Sequence, residues 1–477
     1  MKDISKEKID ILFVSNFSEN LTLTESRIID YLPNNLKSRI LTYKKSNIKN
    51  TYSYEEFLEE NYDYVNNFDI DAFNKKYQAI NLNFIILVER FISDYYMLDG
   101  TLGHKNYSFG ELNFIVKSWI LFLDPFIGNA KIVFSGYADN MISYMAFLLS
   151  EYNNKKCISF GPKNVINNET NYLVDNIYAK PCHELINDNE KKSATELLSY
   201  VKNFNIKKQL ERAYKRNKGI DKPIFGIFSS NIKKKSFWNY LIFGHDIEDK
   251  KIKKYLELDR VNVYSKIYSY VKKSLNIMCS KIYMKFSNEA LPSSRIIYFP
   301  LQVQPEASTS VTSPYFMNLL STVEYLSKSL PFGHTLVVKE HPAINGMRGM
   351  LFYKKIQSLP NVILMNTNYN AKDIMKRSEV TIGFGGTTLL ESIYLGKKIF
   401  IFEDTFYSDS RLVRKLKDFR NLNKELLDFI DMDLSETDKE YELEKMLNYF
   451  YQRGFPRYID FEKNMAINLM KIYNENS

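Results

Sequence analysis

Cysteine, proline, glycine and tryptophan are all scarce in this chain of 477 residues, which has three, 13, 17 and two of them. Three widely spaced cysteines predict neither a disulfide framework nor a zinc knuckle, so a reducing cytoplasm is expected. Few glycines and prolines exclude a collagen-like or disordered chain. With 45% hydrophobic and 25% charged residues, the composition is that of a globular protein of about two domains.

A long uninterrupted hydrophobic run is also lacking. The most apolar window, residues 80–97, contains Glu89, Arg90 and Asp94, which favours a buried helix over a membrane span. The start of the chain lacks the apolar run of a signal peptide, so we do not expect secretion. A cytoplasmic protein is therefore predicted.

The net charge of +9 is concentrated in a lysine-rich stretch at 207–285. Such a stretch is typical either of a solvated basic face or of a protein that binds an anionic inner-membrane surface. No RNA-reading motif accompanies the lysines, so a nucleic-acid partner is not expected.

Short apolar runs alternate with helical patterns in two parts of the chain. The first part predicts strands at 9–14, 38–43, 131–135 and 156–160, with a helix that opens at residues 136–139. The second part, 295–403, predicts five strands, at 295–300, 335–339, 362–365, 379–383 and 398–402, separated by four helices. In it, Ser313 and Pro314 have the pattern of a helix start, and Gly396 that of a helix stop.

This alternation predicts two doubly wound parallel sheets of the Rossmann-like α/β class. The expected organisation is an N-terminal domain at 1–185, a helical basic linker at 186–285 and a C-terminal domain at 286–430. Helices at 431–477 are expected to pack back toward the first domain.

A glycine-rich turn lies between a predicted strand and a predicted helix. Gly385 and Gly386 let the backbone approach a ligand closely, and the helix start at Thr387 and Thr388 offers N–H groups to a phosphate. Glu391, one turn later, has a carboxylate that can accept hydrogen bonds from ribose hydroxyls. The alternative is a capping box formed by Thr388 and Glu391.

Two further polar loops follow predicted strands of the second domain. Lys339, His341 and Pro342 form one loop, in which a cation and an imidazole can donate to a phosphate. Gln304, Glu306 and Ser308 lie in the other loop and can contact sugar hydroxyls. Because carboxyl ends of parallel strands share one edge of a sheet, we expect these loops to converge.

Three motifs together resemble the bacterial capsule and surface polysaccharide biosynthesis family that includes the β-Kdo transferases. They are FPLQVQPEAST at 299–309, KEHP at 339–342 and TIGFGGTTLLES at 381–392. The resemblance covers about residues 290–410. It implies a metal-independent GT-B glycosyltransferase, with a cleft between two Rossmann-like domains and no cofactor besides a nucleotide-sugar co-substrate.

The same resemblance implies residue roles. His341 and Pro342 would hold the CMP portion of a CMP-activated sugar, and Thr387 and Thr388 its phosphate. The first domain departs from the family, because no acid occurs at 157–161, where a Glu-Asp-Gly segment would correspond. Either another carboxylate then acts as the catalytic base or nucleophile, or the donor chemistry differs. The candidate carboxylates are Asp139 first, then Glu306 and Glu19.

The leading functional hypothesis is transfer of Kdo or a related ulosonic acid from a CMP-sugar to a glycan or glycolipid acceptor. A GT-B enzyme that uses a UDP- or GDP-hexose is the close alternative. A nucleotide-sugar 2-epimerase would be expected to show more acids in the cleft. A non-catalytic polysaccharide-binding or export partner of the same fold is the alternative outside enzymology.

Overall fold

The structure is a computed structural model, and it describes residues 7–15, 19–88, 108–161, 165, 170–182, 185, 192–203, 275–276, 278–280, 283, 287–288, 290–304, 306–344 and 348–476. Most of the basic region at 207–285 lies outside the described residues. Within the described residues, no helix is both long enough and apolar enough to cross a bilayer.

The first domain is built on a six-stranded sheet with the order β3-β2-β1-β4-β5-β7. All neighbouring strands are parallel except β5 and β7. The strands of this part of the chain are β1 (Ile9–Val14), β2 (Ser38–Thr42), β3 (Thr51–Ser53), β4 (Ala130–Ser135), β5 (Lys156–Phe160), β6 (Thr170–Asn171) and β7 (Leu173–Val174). Buried β-branched and aromatic side chains fill both faces of the central strands, as parallel sheets require.

Helices cover both faces of this sheet. The helices of this part of the chain are α1 (Glu19–Asp30), α2 (Tyr54–Asn67), α3 (Ile70–Lys76), α4 (Leu82–Val88), α5 (Phe109–Asn129), α6 (Met141–Tyr152) and α7 (Ala194–Asn203), and α7 is not among those that pack on this sheet. The helix expected to open at 136–139 begins slightly later, at Met141. Its N-cap is Asn140, whose side chain accepts a hydrogen bond from the Ser143 N–H.

The second domain contains a fully parallel sheet with the order β10-β9-β8-β11-β12-β13. Its strands are β8 (Arg295–Pro300), β9 (His334–Lys339), β10 (Val362–Met365), β11 (Val380–Gly383), β12 (Lys398–Ile401) and β13 (Val413–Lys415). The five predicted strands are therefore present. The sixth strand, β13, was not predicted because its short half-buried sequence has no apolar run.

The helices from residue 307 onward are α8 (Ala307–Ser310), α9 (Leu319–Ser329), α10 (Met350–Gln357), α11 (Ala371–Arg377), α12 (Thr387–Tyr394), α13 (Leu422–Asp431), α14 (Glu436–Arg453) and α15 (Phe461–Glu475). The helix start expected at Ser313 and Pro314 is wrong. Pro314–Phe316 forms only a 3₁₀ turn, and α9 is instead capped by the side chain of Asn318, which accepts from the Ser321 N–H at 3.1 Å.

The C-terminal segment returns to the first domain. A short strand, β14 (Phe455–Pro456), pairs antiparallel with β6. Helix α15 then buries Met465, Leu469 and Ile472 in one apolar cluster with Ile11 and Phe13 of β1. The last helix of the chain thus forms part of the outer layer of the first sheet.

Both sheets have the strand order of doubly wound folds, with a crossover between the first strand and the fourth. The prediction of two Rossmann-like domains in a GT-B-like arrangement is confirmed.

Candidate functional site

A cavity of about 310 Å³ lies between the two domains. The first domain contributes Tyr137 and Asp139, which follow β4. The second domain contributes Glu306 and Ser308, which follow β8, and residues 385–387, which follow β11. Carboxyl ends of parallel strands are where open α/β sheets bind ligands. The cavity therefore brings together predicted candidates from three separate loops, namely Asp139, Glu306 with Ser308, and the turn at 385–387.

Two candidate carboxylates face this cavity from opposite domains. Asp139 is half-buried, and its Oδ1 accepts a hydrogen bond from Asn140 Nδ2 at 2.9 Å. Glu306 is exposed and precedes α8 without capping it through its side chain. Carboxylates in such a position can accept a hydrogen bond from, or remove the proton of, a sugar hydroxyl.

Tyr137 links the two carboxylates electrostatically. Burial, together with the negative charges of Asp139 and Glu306, raises the pKa of its phenol to about 12. Both carboxylates therefore lie near the same phenol group. Tyr137 stays a neutral hydrogen-bond donor at physiological pH. Tyr137 could not be predicted as a site residue, since one tyrosine among 35 carries no distinguishing signal in the sequence.

The glycine turn adopts a backbone that only glycine tolerates readily. Gly385 and Gly386 have φ angles of +110° and +89°, and Gly386 is the N-cap of α12 with no side-chain cap bond. The alternative of a capping box formed by Thr388 and Glu391 is therefore wrong, because the helix already begins at Thr387. The first-turn N–H groups of α12 lack intrahelical acceptors and suit an anion.

Replacing Gly386 by alanine should cost about 1–3 kcal/mol of stability, because its φ and ψ of 89° and 179° belong to a region essentially restricted to glycine. The distorted turn should also weaken nucleotide binding. Gly349→Ala is the matched control, since Gly349 precedes α10 with an ordinary φ of −61°, and a methyl group added there would meet no atom within 4 Å. Urea unfolding of the two variants measures the difference, and equal stabilities would contradict the expectation.

Thr388 and Glu391 are not among the described residues that line the cavity. Both are half-buried on α12. Burial raises the pKa of Glu391, with Lys372 opposing the shift, and the Glu391 charge in turn acts on the buried Tyr298 of β8. The ribose contact expected of Glu391 and the phosphate contact of Thr388 stay predictions.

The segment from Lys339 to Pro342 lies at the end of β9, at the same edge of the second sheet, but none of its residues is among the described residues that line the cavity. Lys339 is buried, and burial lowers the pKa of its ammonium to about 8. Burial, together with the positive charges of Lys339 and Arg348, also lowers the pKa of His341 to about 4. At neutral pH His341 is therefore an uncharged imidazole, and Lys339 carries the charge. Pro342 begins a 3₁₀ turn, Pro342–Ile344.

Gln304 is not among the described residues that line the cavity. It is buried, its Nε2 donates to the Met317 carbonyl at 2.7 Å, and its Oε1 accepts from Arg348 Nη1 at 3.0 Å. These bonds favour a role in holding the loop after β8. Glu340 and Arg348, which the sequence analysis did not select, belong to the same buried network.

The third acidic candidate, Glu19, is the exposed first residue of α1 and is not among the described residues that line the cavity. A different acid of the same helix, Glu25, is fully buried. Burial raises the pKa of its carboxyl to about 8, against the opposing effect of the Ser15 hydroxyl. Nothing in the sequence distinguished Glu25 from the other acids of α1.

No protein-family model matches the sequence, and neither does any curated protein. Among solved structures, the β-Kdo 2,7-transferase KpsC of Thermosulfurimonas dismutans is 10% identical, with 98% of this chain and 99% of that chain covered and a TM-score of 0.35. UDP-GlcNAc 2-epimerase from Neisseria meningitidis, bound to UDP-GlcNAc, is 14% identical, with 98% and 100% covered and a TM-score of 0.23. Such distant likenesses do not decide an activity, and the fold assignment rests on the strand orders.

Proposed function

We propose that this protein is a GT-B glycosyltransferase of bacterial surface polysaccharide biosynthesis. In this proposal it transfers Kdo or a related ulosonic acid from a CMP-sugar to a glycan or glycolipid acceptor. The enzyme would work in the cytoplasm, with the basic region at 207–285 in contact with the inner-membrane surface.

The observation that carries the proposal is the cavity between the domains. One wall has a carboxylate, Asp139, at the carboxyl edge of the first sheet. The other wall has the glycine turn at 385–387, together with Glu306. A group that can activate an acceptor hydroxyl thus faces a turn suited to a donor phosphate, which is the juxtaposition that sugar transfer between two substrates requires.

The donor nucleotide would bind at the edge formed by β8, β9 and β11. Lys339 would supply positive charge to the phosphate, and neutral His341 would supply a directed hydrogen bond. The N–H groups at the start of α12 would stabilise the negative charge that develops on the leaving phosphate. These groups together would support transfer without a divalent metal.

The preference for CMP and Kdo rests on the resemblance of the motifs at 299–309, 339–342 and 381–392. The alternative donors, UDP- and GDP-hexoses, would use the same phosphate-binding groups and differ only in the base. The alternative of a non-catalytic binding partner draws on the missing acid at 157–161, and it predicts glycan binding without turnover.

Thermal unfolding in the presence of CMP, UDP and GDP tests the donor assignment. CMP at 100 times its Kd should stabilise the protein by about 2.7 kcal/mol, because a ligand that binds only the native state adds this amount. His341→Ala should lose most of this stabilisation. Stabilisation by UDP or GDP but not by CMP would instead favour a hexose donor.

His334→Gln is the control for this variant. His334 begins the same strand at its opposite end, where its Nε2 lies 2.9 Å from Glu379 Oε2. The control should lower the melting temperature of the free protein and leave the CMP-induced shift unchanged. Equal loss of the shift in both variants would contradict a nucleotide-binding role for His341.

A further inference from the structure

Arg348 joins two loops of the second domain through a buried hydrogen-bond network. It is only 5% exposed, and three nitrogens of its guanidinium group donate to different acceptors. Nε donates to Glu340 Oε2 at 2.8 Å, Nη1 to Gln304 Oε1 at 3.0 Å and Nη2 to the Gln302 carbonyl at 2.6 Å. The first acceptor belongs to the loop after β9, and the other two belong to the loop after β8.

Glu340 extends the network to the backbone of His341. Its Oε1 accepts from the His341 N–H at 2.8 Å, and its Oε2 also accepts from the Tyr353 hydroxyl at 2.9 Å. The Glu340 side chain has no exposure, and that of Arg348 has 5%. A buried ion pair of this kind adds little net stability but holds its partners in one geometry when its hydrogen bonds are satisfied.

The loop after β8 continues from this network into the first domain. Glu306 and Ser308 line the cavity between the domains. In the same segment, Ala307 packs against the apolar core of the first domain, and Val311 is buried in that core. A segment of ten residues, 302–311, is therefore held by Arg348 at one end and by the first domain at the other, with Glu306 between.

We propose that Arg348 is a positioning residue. It fixes the position of His341, at the donor site, relative to that of Glu306, in the cavity. It acts on His341 through Glu340 and on Glu306 through Gln302 and Gln304. Arg348 itself is not among the described residues that line the cavity. This inference rests on the proposed function, because it assigns the two loops to donor binding and to transfer.

Steady-state kinetics of three variants test the two arms of the network separately. Glu340→Gln removes the charge that joins Arg348 to the His341 backbone and leaves the hydrogen bonds of Arg348 to Gln302 and Gln304 in place, so it should raise the donor KM about tenfold. Gln304→Met weakens only the arm to Glu306 and should lower kcat about tenfold with little change in the donor KM. Arg348→Lys replaces the guanidinium group by an ammonium group that cannot reproduce its three hydrogen bonds. This variant should both raise the donor KM and lower kcat.

Ser327→Ala is the control for lost buried hydrogen bonds. The Ser327 hydroxyl donates to Asn361 Oδ1 at 2.5 Å in the same domain. Asn361 precedes β10, whereas the loops of Gln302 and Glu340 follow β8 and β9, so the parallel sheet places this pair at the opposite edge. The control should lose stability and keep both kinetic constants. Arg348→Lys with unchanged kinetics, or the same loss in all variants including Ser327→Ala, would overturn the positioning role.

Hydrogen exchange separates this inference from the proposed function, since it needs no substrate. Arg348→Lys should speed exchange in both 302–311 and 340–344, with no change in β1. Unchanged exchange in these two loops would overturn the inference even if the enzyme is a transferase. A wild-type protein that binds none of the three nucleotides would overturn the proposed function, and the exchange result would then decide the role of Arg348 alone.

Discussion

Replacing Lys339 by methionine should stabilise the ligand-free protein at neutral pH and abolish its stabilisation by nucleotide. The ammonium group is buried, and its hydrogen bond to the Glu340 carbonyl is long, at 3.4 Å. Burial lowers the pKa of Lys339 from 10.5 to about 8. A depression of this size corresponds to an upper limit of roughly 3 kcal/mol. Methionine has a similar length and no charge to bury.

The stability difference between Lys339→Met and the wild type should depend on pH. Between pH 8 and 10.5 the unfolded chain binds the lysine proton and the folded protein does not, so the wild-type stability should rise with pH across this window. The advantage of Lys339→Met should therefore be largest below pH 8 and should shrink as the pH approaches 10.5. Below pH 8 the wild-type lysine is charged, and a bound phosphate would offset the cost of its burial.

Denaturant unfolding at pH 7 and at pH 10, with and without CMP, measures both parts of this prediction. Lys328→Met is the control, because Lys328 is an exposed lysine on α9 of the same domain and should change neither quantity. A variant at position 339 that is less stable than the wild type at pH 7 would contradict the burial cost. A variant that keeps the full CMP effect would exclude Lys339 from the phosphate site.

Asp139→Asn should lower the rate of sugar transfer by about 10²–10⁴, the usual contribution of a general base, while nucleotide binding stays intact. The reason is the separation of roles between the domains. Asp139 belongs to the first domain, whereas Lys339, His341 and the glycine turn belong to the second. Glu306→Gln is expected to reduce the rate as well, because Glu306 faces the same cavity.

Asp404→Asn is the matched control for Asp139. Asp404 lines the same cavity, but its Oδ2 accepts a salt bridge from Lys415 Nζ at 2.8 Å. That carboxylate is held by a cation and should contribute less to proton transfer. Single-turnover rates and CMP affinities of all three variants would show which carboxylate acts as the base. Full activity of Asp139→Asn would exclude Asp139 as the catalytic base and leave Glu306 as the candidate for that role.

The central strands could be predicted closely from the sequence. The predicted segments at 9–14, 156–160, 295–300 and 362–365 coincide with β1, β5, β8 and β10. Each is a β-branched or aromatic run bounded by polar residues, and these local signals coincide with burial on both faces of a parallel sheet. The doubly wound architecture followed from the alternation of strands and helices.

The segment after β8 could not be predicted from local patterns. Ser313 and Pro314 have the composition of a helix start, yet the helix begins after Asn318 and a separate short helix, α8, precedes the proline. The residues of α8 and Val311 lie against the first domain. Their conformation therefore depends on contacts with residues more than 150 positions earlier in the chain.

The candidate site also combines residues that could be predicted from the sequence with residues that could not. Gly385 and Gly386 were recognisable because a strand-to-helix turn with a close ligand approach calls for glycine. Arg348 was not, because it lies in a loop without periodicity and becomes significant only through its buried contacts with Glu340, Gln302 and Gln304. Tyr137 gains its position near two carboxylates only when the domains face each other.

Mass analysis of reaction products tests the central claim most directly. The protein would be incubated with CMP-Kdo, UDP-hexoses and GDP-hexoses in turn, each with a glycolipid acceptor fraction. The acceptor should gain one Kdo residue and CMP should be released, with both products greatly reduced for Asp139→Asn. An isomerised nucleotide-sugar without any gain in acceptor mass would contradict the account, as would nucleotide binding without turnover of any donor.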